Sequence, residues 1–204
     1  MNDLNRLLAS AALLRARGYS ASVLSGGIEA WRDAGAPVVA KAGWPGREET
    51  EPSRWVTRAA PRIDRIACAW FIRRFVDRTA EFLFVEADRV AASAEEIGGI
   101  PFDIDGVEFS HRGDGCSFDT FLDRFGIDDA ALRKLAGMVR GADTGRLDLA
   151  PQAAGLLAVS RGISAIAADD EEALECGLAL FDALYAWCRS SGEGPGSSPA
   201  RRTA

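Results

Sequence analysis

Histidine is almost missing from this chain: there is one in 204 residues, His111. A site built from several imidazoles is therefore excluded, and any histidine chemistry must pass through that ring. Cysteine is sparse and scattered, at 68, 116, 176 and 188. No two form a C-x-x-C pair, which excludes a cysteine-rich zinc site. Isolated thiols in an acidic chain read as reduced, and the expected location is the cytoplasm. No apolar run reaches the roughly 18 residues that a spanning helix needs, and the N-terminus leads into no secretory hydrophobic region. A basic excess is missing too. The net charge is −6, which argues against a nucleic-acid partner in the absence of a separate DNA-binding domain. What remains, at 48% hydrophobic and 26% charged residues, is enough for a real core.

Polar chemistry concentrates between Pro101 and Phe118. This stretch holds His111, then Cys116 five positions later, with Asp103, Asp105, Glu108 and Asp114 beside them and three glycines freeing the backbone. Its plain reading is a polar turn; its sharper reading is a ligand site carried on a loop. The rest of the chain decides between them.

In order, residues 3–17 show helical spacing of leucines with Gly18 as a stop. Ser22 to Leu24 reads as a short strand, Gly26-Gly27 as a turn, and 28–34 as a short helix ended by Gly35 and Pro37. Residues 39–53, rich in glycine, proline and charge, read as a linker. The main domain starts near Arg54. Residues 55–57 are a strand, and Pro61 opens a helix to about Arg74 whose apolar side chains cover nearly its whole circumference, the mark of a buried helix. Asp64 falls inside that apolar arc. A carboxylate there needs an ion-pair partner, hydrogen bonds or a cation. Cys68 lies one turn further on. Residues 81–86 form a second strand, a helix over 89–97 is capped by Asp88, and 101–109 carries a hairpin signal at Asp105-Gly106. Ser117 caps a helix over 118–125. A further helix ends in the polar loop 140–148, which carries Arg140 and Asp143. Residues from Pro151 to about Arg161 and from about Asp170 to Arg189 complete the helices, with Asp182 on a solvent-facing stripe. The tail from 190 has the composition of a disordered segment. The expected fold is α+β, mostly helical, with a small antiparallel sheet.

Two resemblances organise this reading. The helix ending at Gly18, the run VLSGGIEAW over 23–31 and Gly35-x-Pro37 resemble the C-terminal third of a rhodanese (sulfurtransferase) domain, so residues 1–38 read as a helix-strand-helix remnant. A rhodanese carries its nucleophilic cysteine just before this first helix. No cysteine precedes Cys68 here, so sulfur transfer is not expected. From Arg54 to Arg189 the chain resembles the C-terminal domain of bacterial chromate resistance proteins of the ChrB type. The residues that carry this are RWVTR over 54–58, IDRIAC over 63–68 with Trp70, Ile72 and Phe75, EFLFV over 81–85, PFDI over 101–104, Ser110-His111 with Cys116 to Phe118, RGAD over 140–143, LDLAP over 147–151, and the 185–188 end. The resemblance implies a role in chromate resistance beside an efflux transporter, and fixes no reaction. The separate N-terminal domain of the family's regulators is missing from this sequence, which weakens a transcriptional role. Arg112 stands where the family commonly has a second basic ring residue.

Two functions follow as expectations. One is a binding or sensing domain for chromate or a metal species, in which the dianion would be met by Arg58, Arg65, Arg112 and Arg140. The other is a metal-dependent redox enzyme with ligands from His111, Asp64, Asp143, Glu86 and Cys116. One imidazole with carboxylates suits a divalent or trivalent ion, iron or manganese before zinc. His111 could equally serve as a general acid or base. The composition leaves room for a homodimer.

Overall fold

Strand β1, Arg54–Arg58, is the centre of the main unit. In the computed structural model, which describes residues 3–36, 38 and 52–190, it pairs in parallel with β2, Glu81–Val85, on one side and with β3, Ile100–Pro101, on the other, in the order β2-β1-β3. The sheet is parallel, where the sequence suggested an antiparallel one. The connections explain the difference: β1 and β2 are each followed by a helix that returns the chain to the same end of the sheet, and such crossovers produce parallel pairs.

Both faces of β1 are covered, as a parallel strand requires. Trp55 points into an aromatic cluster with Phe102, Phe109 and Phe121, at ring distances of 6.2, 5.4 and 5.5 Å. Val56 points the other way, onto Val90 and Ala94 of helix α4, Val90–Ile97. Helix α3, Ile63–Phe71, continues as a π turn over Ile72–Val76. Every residue of α3 except Arg65 is buried, as its circumferential apolarity predicts. Around it pack α5 (Ser117–Phe125), α6 (Ala130–Thr144), α7 (Ala153–Ile166) and α8 (Asp170–Ser190).

The hairpin expected at 101–109 does not form. Asp103 takes a left-handed backbone with φ 55, and its N–H donates to the Phe109 carbonyl at 2.9 Å. The chain turns there because the Asp103 side chain is drawn inward to charged partners, so no second antiparallel strand can continue. The polar loop expected from residue 140 is also partly helix. α6 runs on to Thr144 and closes at Gly145 with φ 73. Gly141 permits this: a Cβ there would stand 3.0 Å from both the Ala153 side chain and the Arg146 carbonyl. Asp182 is not a plain solvent-facing residue. Its carboxylate accepts from Trp70 Nε1 at 2.7 Å and from Arg74 Nε and Nη2 at 2.8 Å each, tying α8 to α3 and its π turn.

The chain divides into two units, Met1–Val38 and Val39–Ala204. The first contains α1, Asp3–Ala16, and α2, Gly27–Asp33. Residues 22–24 form no strand; among the described residues of this unit there is no strand to receive their backbone groups. Pro37, most of the expected linker (39–51) and the expected disordered tail (191–204) lie outside the described residues. Ser53, at the linker's end, is already fixed: its N–H and hydroxyl both donate to Asp77 Oδ2, at 2.8 and 2.7 Å.

Candidate metal centre

The carboxyl ends of parallel strands are where α/β sheets gather ligands, and the charged residues gather there. β1 ends in Arg58. The next helix opens with Asp64 and Arg65. Asp103 follows β3. His111 reaches the same point from the loop behind it, and Asp143 comes from the last turn of α6.

Asp64 answers the question its position posed. It does not pair with an arginine. Oδ2 accepts the Ser117 backbone N–H at 2.8 Å and Oδ1 that of Phe118 at 2.9 Å. A carboxylate from α3 thus caps the first turn of α5, where free N–H groups and the helix dipole favour negative charge. Cys68 donates its thiol weakly to Oδ1 at 3.9 Å.

His111 Nε2 stands 3.2 Å from Asp64 Oδ2, 3.2 Å from Asp103 Oδ1 and 3.8 Å from Asp143 Oδ2. The hydrogen bond to Asp64 raises its pKa to about 9, against the opposing effect of burial and with the charges of Asp64, Asp103 and Asp143 in support. Burial, with Asp64 and Asp103 beside it, pushes Asp143 up to about 6. Asp103 is the hub. Its Oδ2 meets Arg58 Nη2 at 2.8 Å and Arg65 Nε at 3.2 Å, and its Oδ1 accepts from the Ser117 hydroxyl at 2.8 Å. Arg65 is held further by the carbonyls of Arg58 and Ala59, and burial lowers its pKa. With His111 protonated, three carboxylates face three cations and the cluster is balanced. The backbone is strained on both sides of it: Asp103 and Ala60, with φ 51, are the only non-glycine residues with positive φ among those described, a feature that concentrates at functional sites.

Among the described residues, Asp64, His111 and Asp143 form the one group of metal-type donors whose atoms all lie within 4.8 Å of one another. Metal–donor bonds of about 2.0–2.2 Å allow donors up to about 4.2 Å apart on one ion, so the 3.2 and 3.8 Å separations fit a shared cation. One imidazole and two carboxylates are also the donor set of an oxygen-preferring ion. Three of the five ligands named from sequence therefore meet. Glu86 does not join them; it is exposed beyond the end of β2. Cys116 is buried at the N-cap of α5, with its N–H and thiol both directed at Asp119 Oδ2. Burial and the nearby Asp64 charge hold that thiol well above its ordinary pKa, and the same holds for Cys68, so neither is a ready thiolate.

The four arginines divide as well. Arg58 and Arg65 serve Asp103. Arg140 pairs with Asp119 at 3.1 Å. Arg112 is exposed and bonds the Glu108 carbonyl at 3.2 Å. Asp103 is the residue that the reading of the sequence passed over as a ligand-site member. It was visible as one acid among four in its loop, but no periodicity marks a residue in a turn as buried.

Residues 55–188 match the family model described as ChrB, C-terminal domain. Over 133 residues the chain is 38% identical to Protein ChrB of Cupriavidus metallidurans (strain ATCC 43123 / DSM 2839 / NBRC 102507 / CH34). The match takes in 65% of this chain and 40% of that protein, so the chain spans less than half the length of its relative. No solved structure matches.

Proposed function

The chain belongs to the ChrB C-terminal-domain family across residues 55–188, and from this premise we propose that it serves chromate resistance by binding a metal ion between Asp64, His111 and Asp143. The observation that carries the proposal is the convergence of these donors from three separate elements at the carboxyl end of the sheet. A structural ion pair needs one carboxylate beside the imidazole; here there are three.

The chain's own residues would do the positioning. The α5 N–H groups fix both oxygens of Asp64, so it cannot rotate away from the ion. In the metal-free chain Asp103, itself held by two guanidinium groups and the Ser117 hydroxyl, accepts from protonated His111 Nε2 at 3.2 Å; a metal that takes the lone pair of Nε2 would replace this hydrogen bond. The ion would supply a Lewis-acidic charge, and three protein donors leave coordination positions for a further ligand. Direct capture of chromate by the arginines is less well supported: Arg58, Arg65 and Arg140 are already paired with aspartates, and the metal-free cluster is at best balanced, with no positive charge to spare for a dianion. A bound cation adds that charge, so chromate or its reduced products would meet the site through the metal. The donor set favours iron or manganese, or a hard trivalent ion, over zinc.

The test is metal analysis of protein purified without added metal, followed by titration with manganese(II), iron(II) and chromate. One ion per chain is expected, lost in His111→Ala and Asp143→Asn variants that keep their far-UV spectrum. Unchanged metal content in both variants would remove this site. Chromate that binds equally well to the metal-free protein would return the arginines to the leading role.

A further inference from the structure

The two edges of the sheet are not alike. The β3 edge is two residues long and contains Pro101, both of which blunt a strand against further pairing. The β2 edge runs five residues without proline or bulge. Among the described residues no strand pairs with its outer side. Parity shows which groups are open. Glu81 N–H donates to Ser53 and the Val85 carbonyl accepts from Ala59, so Glu81, Leu83 and Val85 spend their backbone groups on β1. Those of Phe82 and Phe84 face outward.

We infer that β2 is a self-pairing edge: two copies of this chain join antiparallel along β2, with the two-fold axis at Leu83, and fuse two three-stranded sheets into one of six. The register follows from the parity. Phe82 falls opposite Phe84 of the second copy, both with outward backbone groups, so each such pair exchanges two hydrogen bonds, and the axis repeats them. Leu83 meets Leu83 in the close, non-hydrogen-bonded position between them. It is 38% exposed, large and apolar, and without a cross-strand partner on that side. Charge agrees with this register. Glu81 and Glu86, which bracket the strand, fall opposite Val85 and Ala80 of the second copy rather than opposite each other, so no like charges meet. Space agrees as well: a cleft of about 720 Å³ runs along the strand, lined by Phe82, Phe84 and Leu174 and by the charged side chains of Arg73 and of residues 169–171, and the phenylalanines of a second strand would enter it. An isologous contact of this kind closes at two copies, which keeps an open edge from growing into a fibre.

Sedimentation velocity of the full chain from about 1 to 100 µM, with Leu83→Glu and Leu83→Cys variants, tests it. The wild-type chain should shift towards twice its 21.8 kDa mass as concentration rises. Leu83→Glu sets two carboxylates against each other at the axis and should leave a monomer with unchanged far-UV spectrum and unchanged metal content. Mild oxidation of Leu83→Cys should give a covalent dimer joined at that position by peptide mapping, because the close antiparallel pair brings the two Cα atoms to about 4.5 Å, within disulfide range. A wild-type chain that stays monomeric overturns the inference. So does a dimer that survives Leu83→Glu and yields no position-83 disulfide.

Discussion

A metal ion entering this site must displace the proton on His111, and the geometry sets the size of that competition. With three carboxylates around Nε2, the ring holds its proton to a pKa of about 9. At pH 7 only about 1% of the metal-free chains carry the neutral imidazole that a metal needs, so apparent affinity should lie about 100-fold below its limit. Affinity should therefore rise about tenfold per pH unit from pH 6.5 to 9 and then level. Below about pH 6 the slope should steepen, because Asp143 takes a proton there too. Metal-free stability runs the opposite way. A histidine with a raised pKa contributes its full stabilisation below about pH 6.5 and loses it as pH rises through 9. Raised Asp143 adds a decline between about pH 4 and 6. The gain in melting temperature on adding manganese(II) should therefore grow steadily with pH. Calorimetric titrations in buffers of differing ionisation enthalpy count the released proton. Proton NMR of the ring reads its pKa without assignment ambiguity, since the chain has one histidine. A ring titrating near the ordinary 6.5 in metal-free protein, or an affinity flat from pH 6.5 to 9, would refute the reasoning.

Other outcomes follow from the same contacts. Asp64→Asn should cost about 2–4 kcal/mol in urea denaturation, since it replaces a charged acceptor of two helix N–H groups with an amide that offers one acceptor and a clashing donor. Asp143→Asn should abolish metal binding at equal or higher metal-free stability, because it removes a carboxylate crowded beside two others; a loss above about 2 kcal/mol in the same assay would mean that Asp143 acts chiefly as a structural partner. In timed alkylation with mass mapping, exposed Cys176 should react first, and Cys68 and Cys116 only on unfolding. Gly177→Ala should destabilise by about 1–3 kcal/mol, measured as a fall in melting temperature, because its Cβ would meet the Ile66 side chain where α8 crosses α3.

The sequence by itself determined that α3 is buried, because apolar side chains occupy its whole circumference, and that Asp64 within it demands compensation. It singled out His111 by scarcity, and it placed helices over 89–97 and 118–125, close to where α4 and α5 run. These are local or periodic properties, and neighbouring residues carry them. Only tertiary structure decided what compensates Asp64. Its partners are the N–H groups of Ser117 and Phe118, more than fifty positions away, and a backbone donor leaves no residue-type signal. The same holds for Asp103, whose burial comes from a turn folded onto Arg58 and Arg65, and for the division of the arginines, which depends on which aspartate each can reach. Strand direction was also undecidable locally: a dipeptide such as Asp105-Gly106 permits a hairpin, but Asp103 turned inward to two guanidinium groups and no hairpin formed, while the helical crossovers between β1, β2 and β3 set those strands parallel. The scarcity of histidine marked where to look. The convergence of three carboxylates on its ring required the folded chain, because electrostatic balance is a property of distances in space.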